Sequence, residues 1–174
     1  FQFDHVAAQC MLIEVAGEPR NIKNSDLDKL YINNQDYDVN CSDAQQLKRV
    51  LNFLKKAFPE KTPELKRYNV ISLYILASMF LAKYAVSGYE DRLGAWFIDF
   101  ETKRLSELDK SEDQRDPEMV AYQNATSHST DAIESLEYRH KTLTRDFFSA
   151  FPEIVTKDET RDFSYEQKLA IFRR

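Results

Sequence analysis

Arg139, His140, Lys141 and Arg145 fall within about two helical turns of one another. Guanidinium and ammonium groups at that spacing suit an anionic backbone: arginine meets phosphate with a planar fork and lysine with a point charge. Arg139, Lys141 and Arg145 are therefore candidates for DNA contact. The same cations near a helix C-terminus favour the helix dipole by ~0.3–1 kcal/mol each, with no ligand required. The formal net charge of −5 works against a polyanionic partner, because a nucleic-acid-binding domain is normally basic. Both readings of the cluster stay open at this point.

Other chemistry is thinly represented. The carboxylates Glu134 and Glu137, and Glu112 with Asp113 and Asp116, pair at short spacing, as a charged surface does without any acid–base role. His5, His128 and His140 are far apart in sequence. His140 falls on an apolar helical line and is expected as a hydrogen-bonded core or boundary histidine. No paired metal-ligand spacing occurs, and three isolated glycines cannot build a phosphate-cradling loop. Cys10 and Cys41 are the only cysteines and are expected as reduced thiols in a cytoplasmic protein. No catalytic residue, cofactor-binding residue or metal ligand is assigned.

The elements that must position these residues are helical. Glycine and proline are scarce, at three and five, and strand alternation is absent over any useful window. The expected fold is all-α, a single bundle of seven or eight helices around one buried axis. That axis is the stretch Tyr68–Ser87, apolar on nearly every side, as suits a helix enclosed by others. Lys83 and the serines keep it short of the ~20 apolar residues needed to span a bilayer.

Around it, Phe3–Val15 carries Phe3, Val6, Cys10 and Ile13 at helical spacing, stopped by Gly17 and Pro19. Ser25 or Asn24 should cap a short second helix with Leu27, Leu30 and Tyr31 inward. Ser42-Asp43 should cap a third, with the stripe Leu47, Val50, Leu51, Leu54 and Phe58, ended by Pro59. A fifth helix from Tyr89 to Leu108 turns Leu93, Trp96, Phe97, Phe100 and Leu108 inward, Trp96 as a core anchor. Lys110–Asp116 reads as a solvated linker, and Pro117 suits the first turn of a sixth helix. The run Thr126–Asp131 is dense in capping residues and should launch a seventh, with Ile133, Leu136, His140, Leu143 and Phe147 on its apolar line. The bundle is placed at residues 1–155. Residues 156–174 are read as a linker and a last helix, Phe163–Arg174.

Two stretches carry a family resemblance. Tyr122–Arg139, with the upstream GEPRNIKNSDLDKLY and the Phe/Leu-rich central helices, resembles the helical half of GmrSD-type restriction proteins. The C-terminal FSYEQKLAIFRR is similar to the helix that leads into an HNH nuclease domain, through Phe163, Gln167, Lys168, Ile171 and Arg174. The resemblance implies a parent protein of phage defence that joins a ParB/sulfiredoxin-like, nucleotide-hydrolysing domain to an HNH nuclease. Nucleotide and a divalent metal would then serve the parent, with no cofactor in this segment. Ala44-Gln45-Gln46 lacks the Asp-Gly that opens the family's nucleotide motif, so that site is not carried over. The expectation is a helical coupling segment of a DNA-targeting nuclease without an active centre of its own. Its partners would be the flanking domains, DNA through the parent protein, and a second copy, with no membrane. The alternative is a protein–protein or oligomerisation scaffold unrelated to nucleic acid, favoured by the twelve Phe and nine Tyr.

Overall fold

The fold follows from where short apolar stripes find a common axis. The computed structural model describes residues 3–157, and these form seven α-helices with no strand. In chain order they are α1 (Phe3–Ala16), α2 (Asn24–Asn33), α3 (Ser42–Ala57), α4 (Arg67–Lys83), α5 (Glu90–Leu108), α6 (Pro117–Ser127) and α7 (Ile133–Ala150). A 3-10 turn, Glu112–Gln114, lies between α5 and α6. Among the described residues no helix is long and apolar enough to cross a membrane. The fold is thus the expected all-α bundle. The expected last helix, Phe163–Arg174, lies outside the described residues.

α4 is the axis. Ile71 through Ala77 are buried without a break, and Phe80 follows. α1, α3 and α7 pack against α4, and α5 packs against α3 and α6. Burying each large apolar side chain contributes about 1.5–3 kcal/mol, so this helix anchors the core. It ends earlier than its hydropathy suggests. Tyr84 is already extended, and Tyr84 and Val86 are buried beyond the helix. The Ala85 N–H donates to Val155 O at 3.1 Å, and the Lys157 N–H to Lys83 O at 2.9 Å. Apolar residues can be buried in extended backbone as well as in helix, so hydropathy carried the expected helix through to Ser87. Thr156 and Lys157, expected in the linker, are held against the bundle here.

The stops are as expected: Gly17 adopts φ 73°, a left-handed conformation that glycine takes without steric cost, and Pro59 follows α3. The caps differ. Lys23, not Asn24 or Ser25, sits at the start of α2, and the Asp26 carboxylate accepts its N–H at 3.2 Å. Cys41 precedes α3. At α7 the run Thr126–Asp131 supplies no local cap. Asn21 Oδ1 accepts the Ile133 N–H at 2.9 Å from 112 residues away.

Several expected core positions turn outward. Phe3 and Tyr31 are exposed, while Leu47, Leu51 and Phe58 only flank the core and Phe53 enters it. Along α5, Leu93, Trp96, Phe97 and Phe100 are buried as expected, and the Trp96 indole N–H donates to Asp146 at 2.8 Å. Gly94 lets α5 approach α3 closely, because a β-carbon there would run into the Ala57 carbonyl oxygen. In the last turns the pattern inverts. Glu101, Arg104 and Glu107 are buried while Leu105 and Leu108 are exposed.

Candidate functional site

The inverted end of α5 is part of a buried polar network. Arg104 grips Glu101 with two parallel bonds, Nε to Oε1 at 2.9 Å and Nη2 to Oε2 at 2.8 Å. Their side chains are 6% and 2% exposed, so the pair is desolvated, where it holds only if its hydrogen bonds are complete. Asn69 of α4 donates to Glu101 Oε2 at 3.1 Å and to the Glu64 carbonyl at 2.7 Å. Arg104 Nη1 also donates to Gln123 of α6. Burial works to lower the Arg104 pKa, but the hydrogen bonds and charge of Glu101 outweigh it and hold the pKa above the usual range.

Tyr122 stands beside this pair, fully buried, its ring edge-on to Phe100 at 5.1 Å. Its hydroxyl has no hydrogen-bond partner among the described residues. Burial, and then the Glu101 charge, push the phenol far above its ordinary range.

The second half of the network centres on Arg139. It is wholly buried. Its Nε donates to Ser72 of α4 at 2.8 Å, Nη1 to the Ala125 carbonyl of α6 at 2.7 Å, and Nη2 to the Thr130 carbonyl at 3.0 Å. Burial lowers its pKa, yet a guanidinium remains charged in proteins. Arg67 completes the arrangement from the start of α4, donating to Asp131 at 2.7 Å, to Gln9 at 3.0 Å and to the Thr130 hydroxyl at 3.1 Å. Gln9 in turn donates to the Ile22 carbonyl at 2.9 Å. The capping-type residues Thr130 and Asp131 therefore serve tertiary contacts.

The residues singled out in the sequence do not converge on one surface. Arg139 faces the core, with no surface left for an external phosphate, and this corrects its place among the DNA-contact candidates. The physical reason is rotational: Arg139 stands at i+3 from Leu136 and i−4 from Leu143, both buried, so it shares their face. Lys141 is exposed. Arg145 is half-buried and ion-paired with Glu118 of α6. His140, expected on the apolar line, is half-buried beside it. Glu134 and Glu137 are exposed on α7, and Glu112 and Asp113 on the 3-10 turn. Asp116 caps α6 by accepting the Glu118 N–H at 2.8 Å.

The expected solvated linker is tied down as well. Arg115 donates to the carbonyls of Leu108 and Lys110, both at 3.0 Å. Glu107 accepts the Asp116 N–H at 3.0 Å and the Lys110 ammonium at 2.5 Å.

Chemically most donors and acceptors of the network are engaged, while Asn69 Oδ1 and the Tyr122 hydroxyl have no hydrogen-bond partner among the described residues. Both Glu101 oxygens accept from Arg104 or Asn69, which leaves that carboxylate poorly placed to take a proton from a substrate. Arg139 spends its donors on protein oxygens. Among the described residues no group of three or more His, Cys, Asp or Glu side chains is placed to hold a metal ion. Both cysteines are free, Cys10 in the core and Cys41 half-buried. Glu101, Arg104, Asn69, Arg67 and Gln9 were missed in the sequence. One signal was there: Glu101 and Arg104 continue the helical phase of Leu93, Phe97 and Phe100.

No family model, curated protein or solved structure matches this chain.

Proposed function

We propose that this chain is a helical coupling and scaffold segment of a DNA-targeting, restriction-type defence nuclease, holding neighbouring domains rather than carrying out the reaction. The sequence resemblance supplies the class of parent. One structural observation carries the scaffold part. Tyr31, Ile32 and Val39, at 59%, 67% and 63% exposure, crowd the end of α2 and the loop after it. Large apolar side chains held in solvent that close in sequence suit a contact surface. The buried network locks α4, α5, α6 and α7 together, so a force applied at one of these helices reaches the others.

In this reading the cytoplasm is the compartment, in keeping with two free thiols. Nucleotide and a divalent metal belong to the flanking domains. DNA contact falls to Lys141 and Arg145, without Arg139. Sedimentation of the chain over a wide concentration range, with and without Ile32→Asp, tests the contact surface. Self-association abolished by Ile32→Asp supports it for a second copy, and capture of a flanking domain lost in the same variant supports coupling. A variant that behaves as the parent chain in both assays refutes it. DNA affinity measured against salt separates the nuclease reading from a scaffold unrelated to nucleic acid. Each lost phosphate contact should flatten the slope by roughly 0.9, so Lys141→Glu must change a slope that exists.

A further inference from the structure

A cleft of about 270 Å³ opens between α1, the turn at Gly17–Pro19, the last turns of α4 and His140 of α7. Its walls are mainly apolar, formed by Ile13, Pro19, Ile75, Met79 and Ala82. One carboxylate stands among them. Glu14 Oε2 accepts the Tyr74 hydroxyl at 2.6 Å and the Ser78 hydroxyl at 3.4 Å. Tyr74 is fully buried, so this carboxylate is oriented from the core and not by solvent. Burial, and then the bond to Glu14, push the Tyr74 phenol far up, which keeps that proton on the tyrosine as a donor. Oε1 accepts no hydrogen bond from the described residues. Of the other ionisable groups in the lining, Glu18 and Lys83 are exposed, where solvent screens them, and His140 is half-buried. Glu14 is half-buried and is screened less.

We propose that this cleft binds a small organic cation, a primary ammonium or guanidinium on an apolar body. Its charge rests on Glu14 Oε1 and its body lies along Ile75 and Met79. The volume is just below the range of drug-sized pockets, which limits the ligand to a small molecule or one side chain. A fixed carboxylate beside apolar walls gives such a cation a charge-assisted bond and an apolar contact together. The inference is independent of the coupling role.

The test uses the whole chain and three probes that share one body: 3-phenylpropylamine, 3-phenylpropanol and 3-phenylpropionate. Binding is followed by NMR at the Gly17 amide and the Met79 methyl. The amine should bind at least ~10-fold tighter than the alcohol, a difference of about 1.4 kcal/mol, and the propionate should bind weakest. Glu14→Gln should reduce the amine to the affinity of the alcohol. Ala82→Phe, which fills the cleft from an exposed position, should weaken all three and leave the Glu14 contacts intact; it decides the matter if Glu14→Gln fails to fold. Nα-acetyl-arginine amide distinguishes the source. Binding as tight as the amine's assigns the cation to a partner's side chain, and binding of the amine alone assigns it to a free ligand. Propionate binding as tightly as the amine, or amine binding unmoved by Ala82→Phe, would overturn the proposal.

Discussion

Replacing Glu101 by Gln isolates the central claim about the buried network. The substitution keeps the size of the side chain and removes its charge. Glu101 now accepts from Arg104 Nε, Arg104 Nη2 and Asn69 Nδ2. In the Glu101→Gln variant one acceptor becomes an NH2 that faces donors. At least one charge-assisted bond is lost, worth about 1.5–3 kcal/mol. Arg104, 6% exposed at its side chain, is left as a buried cation without its counter-charge, and breaking such a pair costs about 3–5 kcal/mol in all. Total stability of a domain is about 5–15 kcal/mol, so the variant should be folded but visibly weakened. With a urea m-value of roughly 2 kcal/mol/M, the midpoint should fall by about 1.5–2.5 M. Trp96 reports it: it is the only tryptophan, buried, and edge-on to Phe147 at 5.0 Å. The paired change Glu101→Leu with Arg104→Met removes both charges, and Asn69 keeps its bond to Glu64. It should recover most of the loss, since swapping a whole buried pair for apolar residues is often neutral or better. A single variant costing less than about 1 kcal/mol, or a double variant no more stable than the single, would refute the reasoning.

Three further expectations follow from other sites. Gly94→Ala should lower the melting temperature, because the collision with the Ala57 carbonyl costs about 1–3 kcal/mol and exceeds the ~1 kcal/mol that alanine gains in a helix; calorimetry decides the sign. Asn21→Ala should cost about 1 kcal/mol by uncapping α7, whereas Ser25→Ala, at an exposed position inside α2, should change little in the same urea titration. The Lys110 hydrogen bond, and then the Asp116 N–H, hold the Glu107 carboxyl below its ordinary range. The stability it contributes is therefore complete above the unfolded value of about 4.3 and is lost as pH falls through the lowered native value. Glu107→Gln should be less stable than the parent chain at neutral pH, and the gap should close in acid. A gap that widens on acidification would reverse the assigned direction.

The amino-acid order settled the class of this fold and the stops at Gly17 and Pro59, because those signals are local. Apolar spacing near the helical period marks the helices, and Gly17 and the prolines stop or start them whatever surrounds them. What only the tertiary structure decided is which polar groups lie inside. Arg139 and Lys141 are both cations two positions apart, yet the first ties α4 to α6 while the second meets water. Charge and composition cannot separate them, since the inward face of α7 is set by α4 packed across it. α7 likewise takes its cap from Asn21, which only folding brings near. A charged residue on a helical stripe has the same local pattern whether it meets solvent or a partner on another helix. Its burial is favourable only when that partner is in place, and the partner is a property of the assembled bundle.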